Sequence, residues 1–203
     1  MSTGQDSAVS VRDIRVLRTV LLLRHGQQDE STPDGSGGLT ETGFRQAALA
    51  AERLTAEPID RIVSSGLRRA EQTANAIARH HAFLEVETDA DLCECVPSVP
   101  RGQEVFYPDG VETAHTASCR EALDRAFSRY FEPGSKGTTL LVGHGNAFRY
   151  LVCRVLDSDP DNWARFDMHN CGISRVEVKT FLGVQVTGLN DTGHLPPELL
   201  TYG

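Results

Sequence analysis

The sequence predicts an α/β fold, a three-layer α/β/α sandwich on a mostly parallel central sheet. Three observations carry this. Runs rich in Val, Leu and Ile alternate with helical patterns along the whole chain. The helical stretches keep their apolar residues to one face, as a helix lying on a sheet must. Three of the runs stop at polar or glycine-containing strings, and an open α/β sheet binds its ligands beyond such strand ends.

Residues 1–12 are small and polar and read as a flexible tail; residues 13–203 read as a single domain with no repeat or linker. Val16–Leu23 is the first strand. The stretch Arg24–Gly38, with four glycines, is a loop. Thr40 caps a helix over about Glu41–Thr55 whose apolar face is Phe44, Ala47, Ala48, Ala51 and Leu54. After Pro58 comes a strand, Arg61–Ser65, then a helix over Leu67–His80 with Ala70, Thr73, Ala74 and Ile77 inward. Leu84–Glu87 is a short strand. Asp89–Gly110 holds three of the nine prolines and reads as a long loop. A helix spans about residues 112–131 with Leu123, Ala126, Phe127 and Tyr130 on one face. Thr138–Val142 is a buried strand, followed by a helix over Ala147–Leu156. Ile173–Lys179 and Val184–Thr187 alternate in polarity and pair around Phe181–Gly183, giving the sheet an antiparallel edge. The remainder, from Asp191, is irregular.

At 203 residues the chain can bury a core without staples. Its balance is globular, with 39% hydrophobic and 24% charged residues, and a net charge of -8 excludes broad nucleic-acid binding. Eighteen of the twenty basic residues are arginine, all but Lys136 and Lys179. The five cysteines, at 93, 95, 119, 153 and 171, are odd in number and scattered. They argue against a disulfide scaffold and for a reducing compartment. No Cys-x-x-Cys pair suggests zinc. The early apolar run, Val20–Leu23, is too short to cross a membrane, and no signal peptide follows it. No membrane partner is expected, and the expected location is cytoplasmic.

Chemistry-bearing residues collect at the strand ends: Arg24-His25-Gly26, Ser65 through Arg69, and Gly143-His144-Gly145-Asn146. Two histidines and at least two arginines therefore reach one end of one sheet. Arginine offers phosphate a rigid fork of donors, and an imidazole nitrogen can attack phosphorus. A departing oxygen needs a proton, for which Glu94 is the candidate acid. Of the adjacent Arg68 and Arg69, helical geometry separates the side chains by about 100°, so only one reaches a given phosphate.

These strings resemble the signatures of the histidine phosphatase superfamily, also called the phosphoglycerate mutase-like superfamily. Leu23-Arg24-His25-Gly26-Gln27 is similar to its first landmark, and Leu39-Thr40-Glu41-Thr42-Gly43 to its second. Ser64-Ser65-Gly66-Leu67-Arg68-Arg69-Ala70 is similar to the third, and Val142-Gly143-His144-Gly145-Asn146 to the fourth. Asn146-Ala147-Phe148-Arg149-Tyr150, Trp163, Asn170-Cys171-Gly172 and Asp191-Thr192-Gly193-His194 further resemble the PGAM5-like branch, named for a mitochondrial serine/threonine protein phosphatase. That protein has an N-terminal membrane segment and this chain shows none.

The resemblance implies a phosphoglycerate mutase-like fold and a metal-independent phosphomonoester hydrolase with no cofactor. It makes His25 the nucleophile, Arg24 and Arg69 the phosphoryl-binding arginines, His144 a second donor and Glu94 the proton donor. The Glu94 setting departs from the commonest family pattern, with Cys95-Val96-Pro97 following it. Gln27, Asn146 and Arg101 are expected to bind substrate, and His115 and Arg149 to border the pocket. The substrate is a phosphoserine or phosphothreonine protein or a small phosphometabolite. A phosphoglycerate mutase-type phosphotransferase and a non-catalytic phospho-ligand-binding module are the alternatives. The 49 residues between Glu94 and His144 look too few for the lid of a mutase. A self-complementary exposed face would permit a homodimer.

Overall fold

A computed structural model describes residues 13–32, 36–82, 84–100, 102–111, 113–132, 134 and 136–202. The expected tail, residues 1–12, lies outside them, as does Arg101. Strand β1, Val16–Arg24, is buried on both faces from Arg18 onward and occupies an interior position. Six strands form one sheet in the order β3-β2-β4-β1-β5-β6. The others are β2 (Ile59–Ser64), β3 (Val86–Thr88), β4 (Gly137–Gly143), β5 (Ile173–Lys179) and β6 (Gly183–Asp191). β1, β2, β3 and β4 pair in parallel, whereas β5 and β6 run antiparallel, as the alternating hairpin predicted.

Alternation along the strands divides the core in two. Leu21 and Leu23 join Ile62, Leu140 and Val142 under helices α1 (Glu41–Leu54) and α2 (Arg68–Ala78). Val20 and Leu22 join Val63 and Leu141 under α3 (Thr113–Phe131) and α4 (Gly145–Val155). Side chains of successive strand residues point to opposite faces, so one hydrophobic strand feeds both layers.

The α1 face is rotated from expectation. Gly43, Gln46, Ala47, Ala50, Ala51 and Leu54 are buried, while Phe44 and Ala48 are exposed. The first turn sets this phase. A side chain on Gly26 would lie 2.5 Å from the Gly43 carbonyl oxygen, and one on Gly43 would lie 2.3 Å from that of Gln27. Two backbones thus meet where only glycine fits, and that contact turns Gly43 inward and Phe44 out.

The Asp89–Gly110 stretch is not wholly irregular. It contains single 3-10 turns at Ala90–Leu92 and Glu104–Phe106. The first is anchored to α3: Asp91 pairs with Arg125 at 2.7 Å and Arg129 at 3.1 Å, Asp89 pairs with Arg129, and the Tyr130 hydroxyl donates to Asp89 at 2.7 Å. Cys95 and Cys119 form a disulfide, which corrects the expectation of reduced cysteines. Their separation of 24 residues hid the pairing, because the loop after Leu92 folds back on α3 and brings the two Cα atoms to 5.8 Å. Cys93, Cys153 and Cys171 remain free thiols.

Closing a loop of 24 residues restricts the unfolded chain by about 3 kcal/mol. Reduction, or Cys119→Ser, is expected to lower the unfolding free energy by that order, read as a lower urea midpoint. An unchanged midpoint would contradict the tether.

Candidate active site

The parallel register brings the ends of β1, β2 and β4 level. Arg24 pairs with Gly143 across β1 and β4, and Ser64 with Val142 across β2 and β4. The next residues continue the alignment: the His25 amide donates to the Gly143 carbonyl at 2.9 Å and the Ser65 amide to Val142 at 3.1 Å. Arg24, His25, Ser65 and His144 therefore converge as a consequence of strand pairing.

His25 is 4% exposed. Its Nδ1 lies 2.7 Å from the Gly26 carbonyl oxygen, which can only accept, so Nδ1 carries the proton. Nε2 is then a lone pair, and it accepts from Arg69 Nε at 3.1 Å. Burial, with help from the charges of Arg24 and Arg69 and against the Gly26 hydrogen bond, lowers the His25 pKa to about 3. His25 is a neutral imidazole at physiological pH.

His144 is fully buried, and its ring centroid lies 5.0 Å from that of His25. Burial first, then His25 and the two arginines, hold it well below the ordinary histidine value. Its Nε2 lies 2.8 Å from Ser65 Oγ.

Arg24 and Arg69 are each 6% exposed or less. Arg24 Nη1 donates to the Met168 carbonyl at 2.6 Å. Arg69, the second residue of α2, is buried against His25, while Arg68 before it is exposed; the two diverge as helical phase requires. Thr73, one turn further, donates to the Arg69 carbonyl at 2.8 Å and accepts from the Gly26 amide at 3.1 Å, which ties α2 to the His25 loop.

Glu94 arrives from the loop anchored on α3 and held by the Cys95 disulfide next to it. Burial raises its pKa, opposed by Arg24, Arg69, the Cys95 amide and Arg149. A carboxyl raised and two imidazoles lowered at one site are the pairing expected of a proton donor beside an uncharged nucleophile.

Arg24, His25, Arg69 and Glu94 line one cavity of about 540 Å³, together with Gln27, Gln28, Glu30, Thr40, Asn146, Asn170 and Tyr202. Gln27 and Asn146, the residues expected to bind substrate, are part of that lining. Thr40, the α1 cap, donates to Gln27 Oε1 at 2.8 Å and accepts from the Gly43 amide at 3.0 Å, so the second landmark string orients Gln27. His115 lies exposed on α3, and Arg149 stacks 4.9 Å from the Trp163 ring; neither lines the cavity.

Two polar residues were given no role at the site by the sequence. Asn170 donates to the His25 carbonyl at 3.0 Å and accepts from Thr201 Oγ1 at 2.8 Å. Gln46, fully buried, accepts from the Gln27 amide at 2.7 Å and donates to the Leu199 carbonyl at 2.7 Å and to Thr201 at 2.8 Å. Together they stitch the C-terminal segment to the His25 loop and bring Tyr202 to the cavity. Gln46 has a signal in sequence, since it shares a helical face with Gly43, Ala47 and Ala50.

A sheet end holding uncharged histidines between buried arginines suits a phosphoryl group. The model described as "Histidine phosphatase superfamily (branch 1)" matches residues 20–105 and 101–192. The chain belongs to that superfamily. It is 33% identical over 195 residues to the "Serine/threonine-protein phosphatase Pgam5, mitochondrial" of Drosophila yakuba, covering 91% of this chain and 66% of that protein. Identity to the same-named protein of Drosophila ananassae is 30% over 207 residues, with the same shares. The chain thus spans just under two thirds of these relatives. Among solved structures, Bacillus stearothermophilus YhfR superposes with a TM-score of 0.72 at 20% identity, over 87% of this chain and 98% of that one. Phosphoserine phosphatase from Entamoeba histolytica, in complex with 3-phosphoglyceric acid, gives 0.68 at 22%, over 89% and 100%. Both show the same fold. The sequence relatives carry mitochondrial names, which contradicts the cytoplasmic expectation.

The shifts give a pH signature. With the His25 pKa at about 3, no acid limb near 6.5 arises from His25. A donor role for Glu94 needs its protonated form, which is lost as pH rises through its raised pKa. The ratio of wild-type to Glu94→Gln kcat/KM cancels the ionisation of the substrate. With an alkyl phosphate it is expected to be about 10²–10⁴ at acid pH and to fall toward alkaline pH. A pH-independent ratio would remove Glu94 as the acid.

Proposed function

We propose that the chain is a phosphomonoester hydrolase that acts through a phosphohistidine on His25. The observation that supports this most is the unprotonated Nε2 of a buried His25, held between Arg24 and Arg69 in a cavity that also contains Glu94. An unprotonated imidazole nitrogen in a cationic pocket is a nucleophile matched to a phosphate dianion.

In the free protein Arg69 Nε covers Nε2. An incoming phosphoryl group offers Arg69 better acceptors, so binding uncovers the lone pair as it delivers phosphorus. Nε2 then attacks phosphorus and the P–N bond forms. The P–O bond to the leaving group breaks, its electron pair goes to the oxygen, and Glu94 gives that oxygen a proton. Water next attacks the phosphohistidine, Glu94 takes one of its protons, and the P–N electrons return to Nε2 as phosphate leaves. Arg24, Arg69 and His144 face the charge on the phosphoryl oxygens throughout.

Substrate charge assists the acid. A phosphate in the pocket offsets the two arginines that oppose the high Glu94 pKa, so the proton is held until the leaving oxygen needs it. Phosphoserine and phosphothreonine residues of proteins are the proposed substrates, supported by the sequence relatives that carry the name serine/threonine-protein phosphatase.

Acid-labile, alkali-stable label from a radiolabelled phosphomonoester should appear on the wild type during a single turnover and be absent from His25→Ala. Steady-state turnover should fall by about 10⁴-fold or more in that variant. A panel of phosphopeptides and small phosphoesters sorts the substrate class. No His25-dependent turnover across the panel would overturn the enzyme and leave a phospho-ligand-binding module.

A further inference from the structure

Ser65 ends the β2 side of the site and is 2% exposed. Its Oγ has two hydrogen-bond partners. The Leu67 amide, at 3.3 Å, can only donate, so it uses an acceptor lone pair of the hydroxyl. His144 Nε2, at 2.8 Å, is then the group to which the hydroxyl proton can be given; among the described residues no other acceptor for it is found. A buried hydroxyl that keeps its proton unshared forfeits a hydrogen bond, so the satisfied arrangement has Ser65 donating.

The consequence falls on the far side of the ring. A neutral imidazole holds one proton. If Nε2 accepts from Ser65, the proton sits on Nδ1. His144 Nδ1 is buried and has no hydrogen-bond partner among the described residues. It is thus an orphan donor on a ring 5.0 Å from that of His25, the residue proposed to take the phosphoryl group.

We propose that Ser65 is a positioning residue that sets the tautomer of His144, holding it as Nδ1–H so that the ring donates to the phosphoryl oxygen during transfer. This rests on the phosphohistidine reading for its consequence, though the tautomer itself does not depend on turnover. The backbone secures the geometry: the Ser65 amide bonds Val142, two residues before His144, and Cys93 Sγ donates to the Ser65 carbonyl at 3.3 Å. Without the hydroxyl, the preference for Nδ1–H disappears. A ring protonated on Nε2 would present a lone pair to the phosphoryl oxygens and repel them. Burial, which keeps His144 uncharged, makes proton placement the only variable left on that ring.

Long-range proton–nitrogen correlation spectra of ¹⁵N-histidine-labelled protein distinguish the two tautomers, and His144→Gln identifies the His144 signals. At pH 7 the wild type should show His144 protonated on Nδ1. Ser65→Thr, which keeps the hydroxyl, should retain that pattern. Ser65→Ala should shift toward Nε2–H and lose about 100-fold in kcat with KM little changed. Wild-type His144 protonated on Nε2 would overturn the inference, as would an unaltered Nδ1–H pattern in Ser65→Ala. Either result would leave phosphohistidine formation on His25 standing. Absence of His25-dependent turnover would sink the enzyme and leave the tautomer measurement unaffected.

Discussion

The hydrogen bond from His25 Nδ1 to the carbonyl of Gly26 is the contact on which the site depends. A carbonyl cannot donate, so this bond decides which nitrogen holds the proton and which carries the lone pair. It is made within two consecutive residues, but it has value only because the surroundings are fixed. The His25 amide is held by Gly143, its carbonyl by Asn170 and Cys171, and the Gly26 amide by Thr73. Strand, loop and helix each supply one restraint. The ring is therefore aimed before any ligand arrives, which is the preorganisation that phosphoryl transfer requires.

Electrostatics and burial cooperate with that geometry. Two arginines, two histidines and a carboxyl share one poorly solvated sheet end, an arrangement that would be costly if all five were charged. They are not. Burial drives the histidines toward the neutral form and Glu94 toward its acid, so the arginines carry the charge and await an anion. Glu94 is delivered separately from His25. Its loop is fastened to α3 by the Asp89 and Asp91 ion pairs and by Cys95–Cys119, whereas His25 belongs to the sheet. The placements of Glu94 and His25 thus rest on different parts of the fold.

Much of this was legible in the sequence, because the residues that matter lie in contiguous strings at strand ends. Arg24-His25-Gly26 and Gly143-His144-Gly145 each announce a strand, its end and its chemistry together. Helical phase let only one of Arg68 and Arg69 reach a given phosphate, and the family resemblance picked Arg69. Contacts made across the fold were not legible in this way. Phe44 is larger and more apolar than Gln46, so composition favoured the wrong face of α1. Only the glycine-to-glycine contact near Gln27 sets the phase. The Cys95–Cys119 bridge depends on the path of a loop that has no periodicity to read. Asn170 and Tyr202 act on the site through the tertiary course of the C-terminal segment, which joins the His25 loop only once the chain has folded.

The central claim is that His25 is a neutral nucleophile with its lone pair on Nε2. A pH titration of the His25 ring nitrogens by NMR, on the ligand-free protein, tests it most directly. The expected result is an Nδ1–H ring that stays neutral down to about pH 3 or to the onset of acid unfolding. A ring that gains its second proton near pH 6.5, or one protonated on Nε2 in the neutral state, would contradict it.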